Sequence, residues 1–399
     1  MRIPPLLHLL SISLIAHIAL SGSRVTTSLY AISLHASAFT VGTLVAVFAL
    51  FPMLLAVQMG RLIDRIGIGR PMTAGGLAIC LGCMLPSILR GLPVLYLSAI
   101  LIGTGFMAIH IAAQHSVGAL SLTQTRSNNF TWLALSYSVS SFCGPVISGF
   151  VIDHASHVIA YVVFLGVSLA GLGLIVASKP DRLVPHMHVG SHHEASSRSA
   201  LDLLREPELR RLYLVGILLS GAWDLFTFVI PIHGSQLGFS ASTIGLILGC
   251  FSAATFVVRL GMPSISRRYS EWQILLAALV VSVACYLLFP LMQQAATLMA
   301  LAAVLGLALG SCQPNVLSLL HHASPPGRAA EVAGIRATIG NASQVVLPLA
   351  FGATGAALGL FPVFWAMGAM IGAGIPVAWR KALAKPENRF DRHYEKDTP

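Results

Sequence analysis

Gly60-Arg61-Leu62-Ile63-Asp64-Arg65-Ile66-Gly67-Ile68-Gly69-Arg70 gathers three arginines, one aspartate and three glycines into eleven residues. The flanking chain, from Leu6 to Gln58 and from Pro71 to Leu122, carries only two charged residues, Arg24 and Arg90. A polar hinge between two long apolar runs reads as a short loop at a membrane surface.

Composition extends that reading to the whole chain. Of 399 residues, 56% are hydrophobic and only 10% charged, and the mean hydropathy is +0.80. A soluble protein would carry about a quarter of its residues charged. Apolar runs of roughly 20 residues are what a helix needs to cross a bilayer. Backbone groups in hydrocarbon must bond within the segment, so repeated runs of that length predict a helical bundle. The short alternating strands of a membrane barrel are absent. Net charge is +10, but no basic stripe is interleaved with aromatics, so nucleic acid is not an expected partner. All six cysteines lie in apolar runs; Cys80 and Cys83 form a lone C-x-x-C inside one of them and read as buried thiols rather than a metal or redox site.

Apolar segments fall at about 6–30, 40–59, 71–90, 94–119, 129–152 and 158–178, then at about 212–232, 241–261, 273–290, 295–319, 333–354 and 360–379. The first, with Arg2 before it and Ser21-Gly22-Ser23 within it, has the composition of a signal peptide. However, Leu20-Ser21-Gly22 recurs as Leu219-Ser220-Gly221, and Thr40-Val41-Gly42 recurs as Thr243-Ile244-Gly245. An internal repeat that includes the first segment argues that it stays. The expected organisation is an N-terminal six-helix bundle (1–178), a linker (179–211), a C-terminal six-helix bundle (212–380) and a tail (381–399). His186, His188, His192 and His193 in the linker read as solvated residues rather than a metal tract.

Placing the N-terminus in the cytoplasm puts Arg61, Arg65, Arg70, Arg126, the linker, Arg267, Arg268, Arg328 and the tail on the inner side, and only Arg90 outside. Lysine and arginine accumulate on the cytoplasmic side, so twelve helices with both termini inside are expected, in a bacterial inner membrane. No nucleotide loop, H-E-x-x-H or nucleophile elbow occurs. The chain is expected to be no enzyme, to need no cofactor or metal, and to work as a monomer within the lipid bilayer.

The spacing G-x-L-x-D-R-x-G from Gly60 to Gly67 resembles the loop between the second and third helices of the major facilitator superfamily of secondary transporters. The resemblance covers nearly the whole chain and implies two pseudo-symmetric bundles that rock around a solute site at their interface. It implies further that Asp64, positioned by Arg61 and Arg65, latches the inner side against the eleventh helix, with Gly60 allowing close approach. Gly144-Pro145-Val146-Ile147-Ser148-Gly149 resembles the Gly-Pro motif of facilitator antiporters, with Ser148 where the motif has a glycine. The proline removes a backbone bond and the glycines permit close contact, which favours a bent helix that moves between states. The motif implies proton-coupled export of a small organic solute; the alternative is proton-coupled uptake of an organic anion through Arg24. Many proton-coupled members carry an arginine on the fourth helix, four residues before a glycine; counted back from Gly103, that position is Ala99 here.

Charges within apolar segments mark function by default. Arg24 lies two residues after Gly22 and Asp224 three after Gly221, so the repeat puts them at similar depth on symmetry-related helices. Asp224 either takes and releases the transported proton or forms a structural pair with Arg24, and Arg24 either tunes that carboxyl or binds substrate. Arg336 either contacts substrate or, like Arg259, snorkels to the inner surface. His110 and Gln114 are four apart and share a helix face; His17 lies two turns before Arg24. Each histidine either lines the solute path or is a hydrogen-bonded core residue.

Overall fold

The computed structural model describes residues 5–121, 126–183, 200–325 and 328–383. The linker histidines and the last part of the tail lie outside the described residues. Among those described, every regular element is a helix.

The first half contains α1 (Pro5–Ser33), α2 (Ala38–Ile66), α3 (Gly69–Ile88), α4 (Leu92–Leu120), α5 (Arg126–His154) and α6 (His157–Ser178). Two short helices follow, α7 (Pro180–Leu183) and α8 (Ala200–Arg205). The second half contains α9 (Pro207–Gln236), α10 (Ala241–Ile265), α11 (Glu271–Leu288), α12 (Ala295–Gly310) continued by α13 (Cys312–Ala323), α14 (Ala329–Leu358), and α15 (Leu360–Gly372) continued by α16 (Ile375–Leu383). Eleven of these spans are long and apolar enough to cross a membrane. The twelfth is α14, 30 residues long, with Glu331 and Arg336 in its first turns. The chain is an all-α membrane protein of twelve transmembrane helices in two pseudo-symmetric six-helix bundles.

Local chemistry sets the helix ends. Ser37 and Ser240 occupy equivalent positions before α2 and α10 and accept from the backbone N–H groups of Thr40 (3.2 Å) and Thr243 (3.3 Å). Such caps satisfy amides that the first turn leaves unbonded. Gly67, at φ 81°, stops α2 and lets the signature loop turn into α3; only glycine adopts that backbone cheaply. The seventh spanning helix starts at Pro207 rather than at about 212, because proline suits a first helical turn.

Burial shows how the halves meet. One apolar core, from Leu9 to Ile175, belongs wholly to the first half. The other is built mainly from the second half, but it also takes Val25, Leu29, Tyr30, Val41, Leu44 and Val45 from α1 and α2. These residues lie in the end of each helix remote from the Gly60–Arg70 loop. The halves therefore share one continuous core on the side opposite that loop.

Candidate functional site

On that opposite side the seam is made of two symmetric helix pairs, α5 against α10 and α2 against α14. A Cβ on Gly245 would lie 2.4 Å from the Pro145 carbonyl oxygen, and one on Gly42 would lie 2.3 Å from that of Pro348. Four residues beyond each proline the contact repeats: a Cβ on Gly149 would meet Ala241 O at 2.3 Å, and one on Gly352 would meet Ala38 O at 3.0 Å. The Gly-Pro motif therefore has a second copy, Pro348 to Gly352, which the sequence reading did not identify. Gly144 packs on α1, where a Cβ would meet Ser21 Oγ at 2.1 Å. Ser148 uses the side chain that the motif's glycine lacks, with its Oγ 2.8 Å from Thr26 Oγ1 of α1.

A polar latch lies at the end of this seam remote from the signature loop. The Asp153 carboxylate, at the end of α5, accepts from the backbone N–H groups of Ala241 (2.9 Å) and Ser242 (2.8 Å) at the start of α10. A carboxylate there satisfies two orphan amides and complements the helix dipole. The sequence reading passed over Asp153.

Between the halves, on the side of the Gly60–Arg70 loop, lies a cavity of about 550 Å³. A deeper chamber of about 120 Å³ shares His17, Arg24, Trp223 and Asp224 with it and reaches Pro145 and Val45 at the seam. Both expected charges are present. Asp224 is only 8% exposed, yet among the described residues its carboxylate has no hydrogen-bond or ion-pair partner, and neither does the Arg24 guanidinium. They face one chamber without forming a direct pair.

His17 and His110 both line the larger cavity. His17 Nδ1 lies 2.6 Å from Ser140 Oγ, and His110 Nδ1 lies 2.8 Å from Tyr137 OH. Gln114 lies outside the lining and holds His110 from behind, with its Nε2 3.0 Å from His110 Nε2. Phe106 and Tyr137 complete an aromatic wall that the sequence reading missed, since aromatic residues in apolar segments look like ordinary core.

Arg336 and Arg259 both lie within their helices and reach the cavity. α14 begins at Ala329 and α10 continues to Ile265, so both arginines lie more than a turn from their helix ends. Arg336 donates to Gln313 Oε1. Arg259 donates to Ser138 Oγ (2.7 Å) and Ala134 O (3.3 Å) across the seam, and it lies 5.9 Å from the Trp223 ring centroid.

In the signature loop, Gly60 has open space where close approach to a helix was expected. Arg61 and Arg65 are exposed. The Asp64 side chain is 67% exposed and lies 3.8 Å from His115 Nε2 of its own half, not on the eleventh helix. The physical reason is that the halves stand apart on this side, with the cavity between them. The loop is instead anchored through Gly69, whose N–H donates to Asp181 Oδ1 at 2.7 Å. Ala99, in place of the antiporters' arginine, is fully buried in α4.

The sequence pattern described as Major Facilitator Superfamily matches residues 9–348 and again 212–397. The chain belongs to that superfamily. The tetracycline resistance protein, class B, of Escherichia coli is 26% identical over 220 residues, which are 53% of this chain and 55% of that protein. The chain thus matches about half the length of that curated relative. A peptide transporter of the POT family superimposes with a TM-score of 0.79 at 13% identity, covering 94% of this chain and 93% of that one. A nucleoside transporter superimposes with a TM-score of 0.75 at 12% identity, covering 94% and 98%. These two show the facilitator fold. The chain is a multi-pass membrane protein of that superfamily.

Proposed function

We propose that this facilitator exports a small organic solute in exchange for protons, by alternating access of the cavity between the halves. The observation that carries the proposal is Asp224, a nearly buried carboxylate with no bonded partner, facing Arg24 inside the chamber that both halves share. An ionisable group held in that position at a cost of several kcal/mol is a group that works. In that role Asp224 carries the proton, and Arg24 across the chamber is the charge it faces once the proton has left. A single acid then substitutes for the basic residue missing at Ala99. The Gly-Pro motif at the seam and the tetracycline resistance relative support export. The bacterial inner membrane, with both termini cytoplasmic, remains the expected location on the basis of loop charge.

The direction of coupling is testable without knowing how the protein is oriented. Proteoliposomes with an acidic interior would be presented with a panel of labelled solutes that includes tetracycline. Antiport predicts accumulation of a panel solute as protons leave. Accumulation only when the exterior is acidic would mean symport and would overturn export by exchange.

A further inference from the structure

The two walls of the large cavity differ in kind. On the first half, His17, Phe106, His110 and Tyr137 form an aromatic wall, with ring centroids 5.0 Å (His17–Tyr137) to 6.3 Å (Phe106–Tyr137) apart. On the second half the wall is polar and basic, with Arg259, Arg336 and Gln313. With Arg24 there are three guanidiniums in the lining and one carboxylate, Asp224. Two positive charges are therefore in excess.

The partners of the basic pair do not neutralise them. Arg336 bonds the amide oxygen of Gln313, and Arg259 bonds a hydroxyl and a backbone carbonyl. A guanidinium has five N–H donors, so each retains donors for a further acceptor. Uncompensated charge out of bulk water is costly, and the cost is met when an anion enters. A cationic solute would gain Asp224 and be repelled by three arginines. The aromatic wall offers ring faces and edges to a planar apolar body. A volume of about 550 Å³ lies within the ordinary range for organic ligands.

We infer that the transported solute is a planar aromatic anion, with its acid group on Arg259 and Arg336 and its ring on the His17, Phe106 and Tyr137 wall. This rests on the proposed reading of the cavity as the solute site, but not on the direction of transport or on proton coupling.

The test is equilibrium dialysis of the full chain in nanodiscs of phosphatidylcholine alone, so that no anionic lipid competes. Four probes separate charge from ring: 1-naphthoate, 1-naphthamide, 1-naphthylmethylammonium and cyclohexanecarboxylate. The expected result is saturable binding of 1-naphthoate, about 10-fold or more tighter than each of the other three, the worth of a charge-assisted hydrogen bond. Arg336→Gln and Arg259→Gln should each remove that preference over the amide. Tyr137→Ala should weaken 1-naphthoate and leave cyclohexanecarboxylate unchanged. Equal or better binding of the ammonium or the amide, or no saturable binding of 1-naphthoate, overturns the inference. The wild-type ranking decides the matter even if a variant fails to fold. Asp224→Asn separates the two proposals: retained 1-naphthoate preference in that variant supports the anion site whatever becomes of its proton coupling, and lost preference overturns it.

Discussion

Arg24 and Asp224 carry opposite charges into one chamber without a direct bond, so each is stabilised by the other's field rather than by a contact. Removing one leaves its partner uncompensated, and removing both removes the imbalance. Arg24→Gln and Asp224→Asn should therefore each lower the unfolding temperature, and the double variant should recover part of the loss, with a coupling of about 1 kcal/mol. Additive losses in thermal unfolding would show that the two charges do not sense one another. Both residues were legible in the sequence because a charge within an apolar run stands out, whether it pairs or works. Tyr137, Phe106 and Trp223 were not, because an aromatic side chain in a membrane segment suits lipid, core or cavity equally well, and only packing decides. Arg259 and Arg336 were left open between the inner surface and the solute path because the helix ends were expected too close to them.

At the scale of elements, the seam opposite the signature loop is held by glycine contacts and by Asp153 on the start of α10. Asp153 is exposed, and the Asp153→Asn side chain would keep one acceptor and lose the charge, a loss of about 0.5–1 kcal/mol at such a helix start. That is about a 2- to 5-fold shift towards the state open on that side. Val45, 3% exposed beneath the seam, reports it. A Val45→Cys probe in a background with the six native cysteines replaced should react faster with an impermeant maleimide when Asp153→Asn is added. Gly245→Leu should act more strongly, since its side chain would collide with the Pro145 carbonyl: labelling rises and transport is lost. Unchanged labelling in both variants would contradict this description of the seam. The sequence displayed half of this device through the Gly-Pro motif and the repeated Thr-x-Gly. Its second copy at Pro348 lies in α14, which is not among the eleven plainly apolar spans, and has Leu347 rather than a glycine before the proline to draw attention to it.

At the scale of the molecule, one side is sealed by a core common to both halves and the other is open between them. Transport requires the opposite arrangement to form as well, and Asp64, exposed in this state, is free to latch it. Asp64→Asn should leave expression and the open cavity intact while cutting flux about 10-fold, the effect of losing one charge-assisted contact in the closed state. Near-normal flux would remove the latch. Twelve helices and two halves were readable from hydropathy, loop charge and repeats, whereas the side that stands open was not, because both states satisfy the same sequence. The most direct test of the account is proton movement in proteoliposomes, followed with a pH dye during a solute challenge and compared between wild type and Asp224→Asn. The account predicts a solute-evoked proton signal in the wild type and none in the variant. Solute flux without a proton signal in the wild type, or a full signal in the variant, would contradict it.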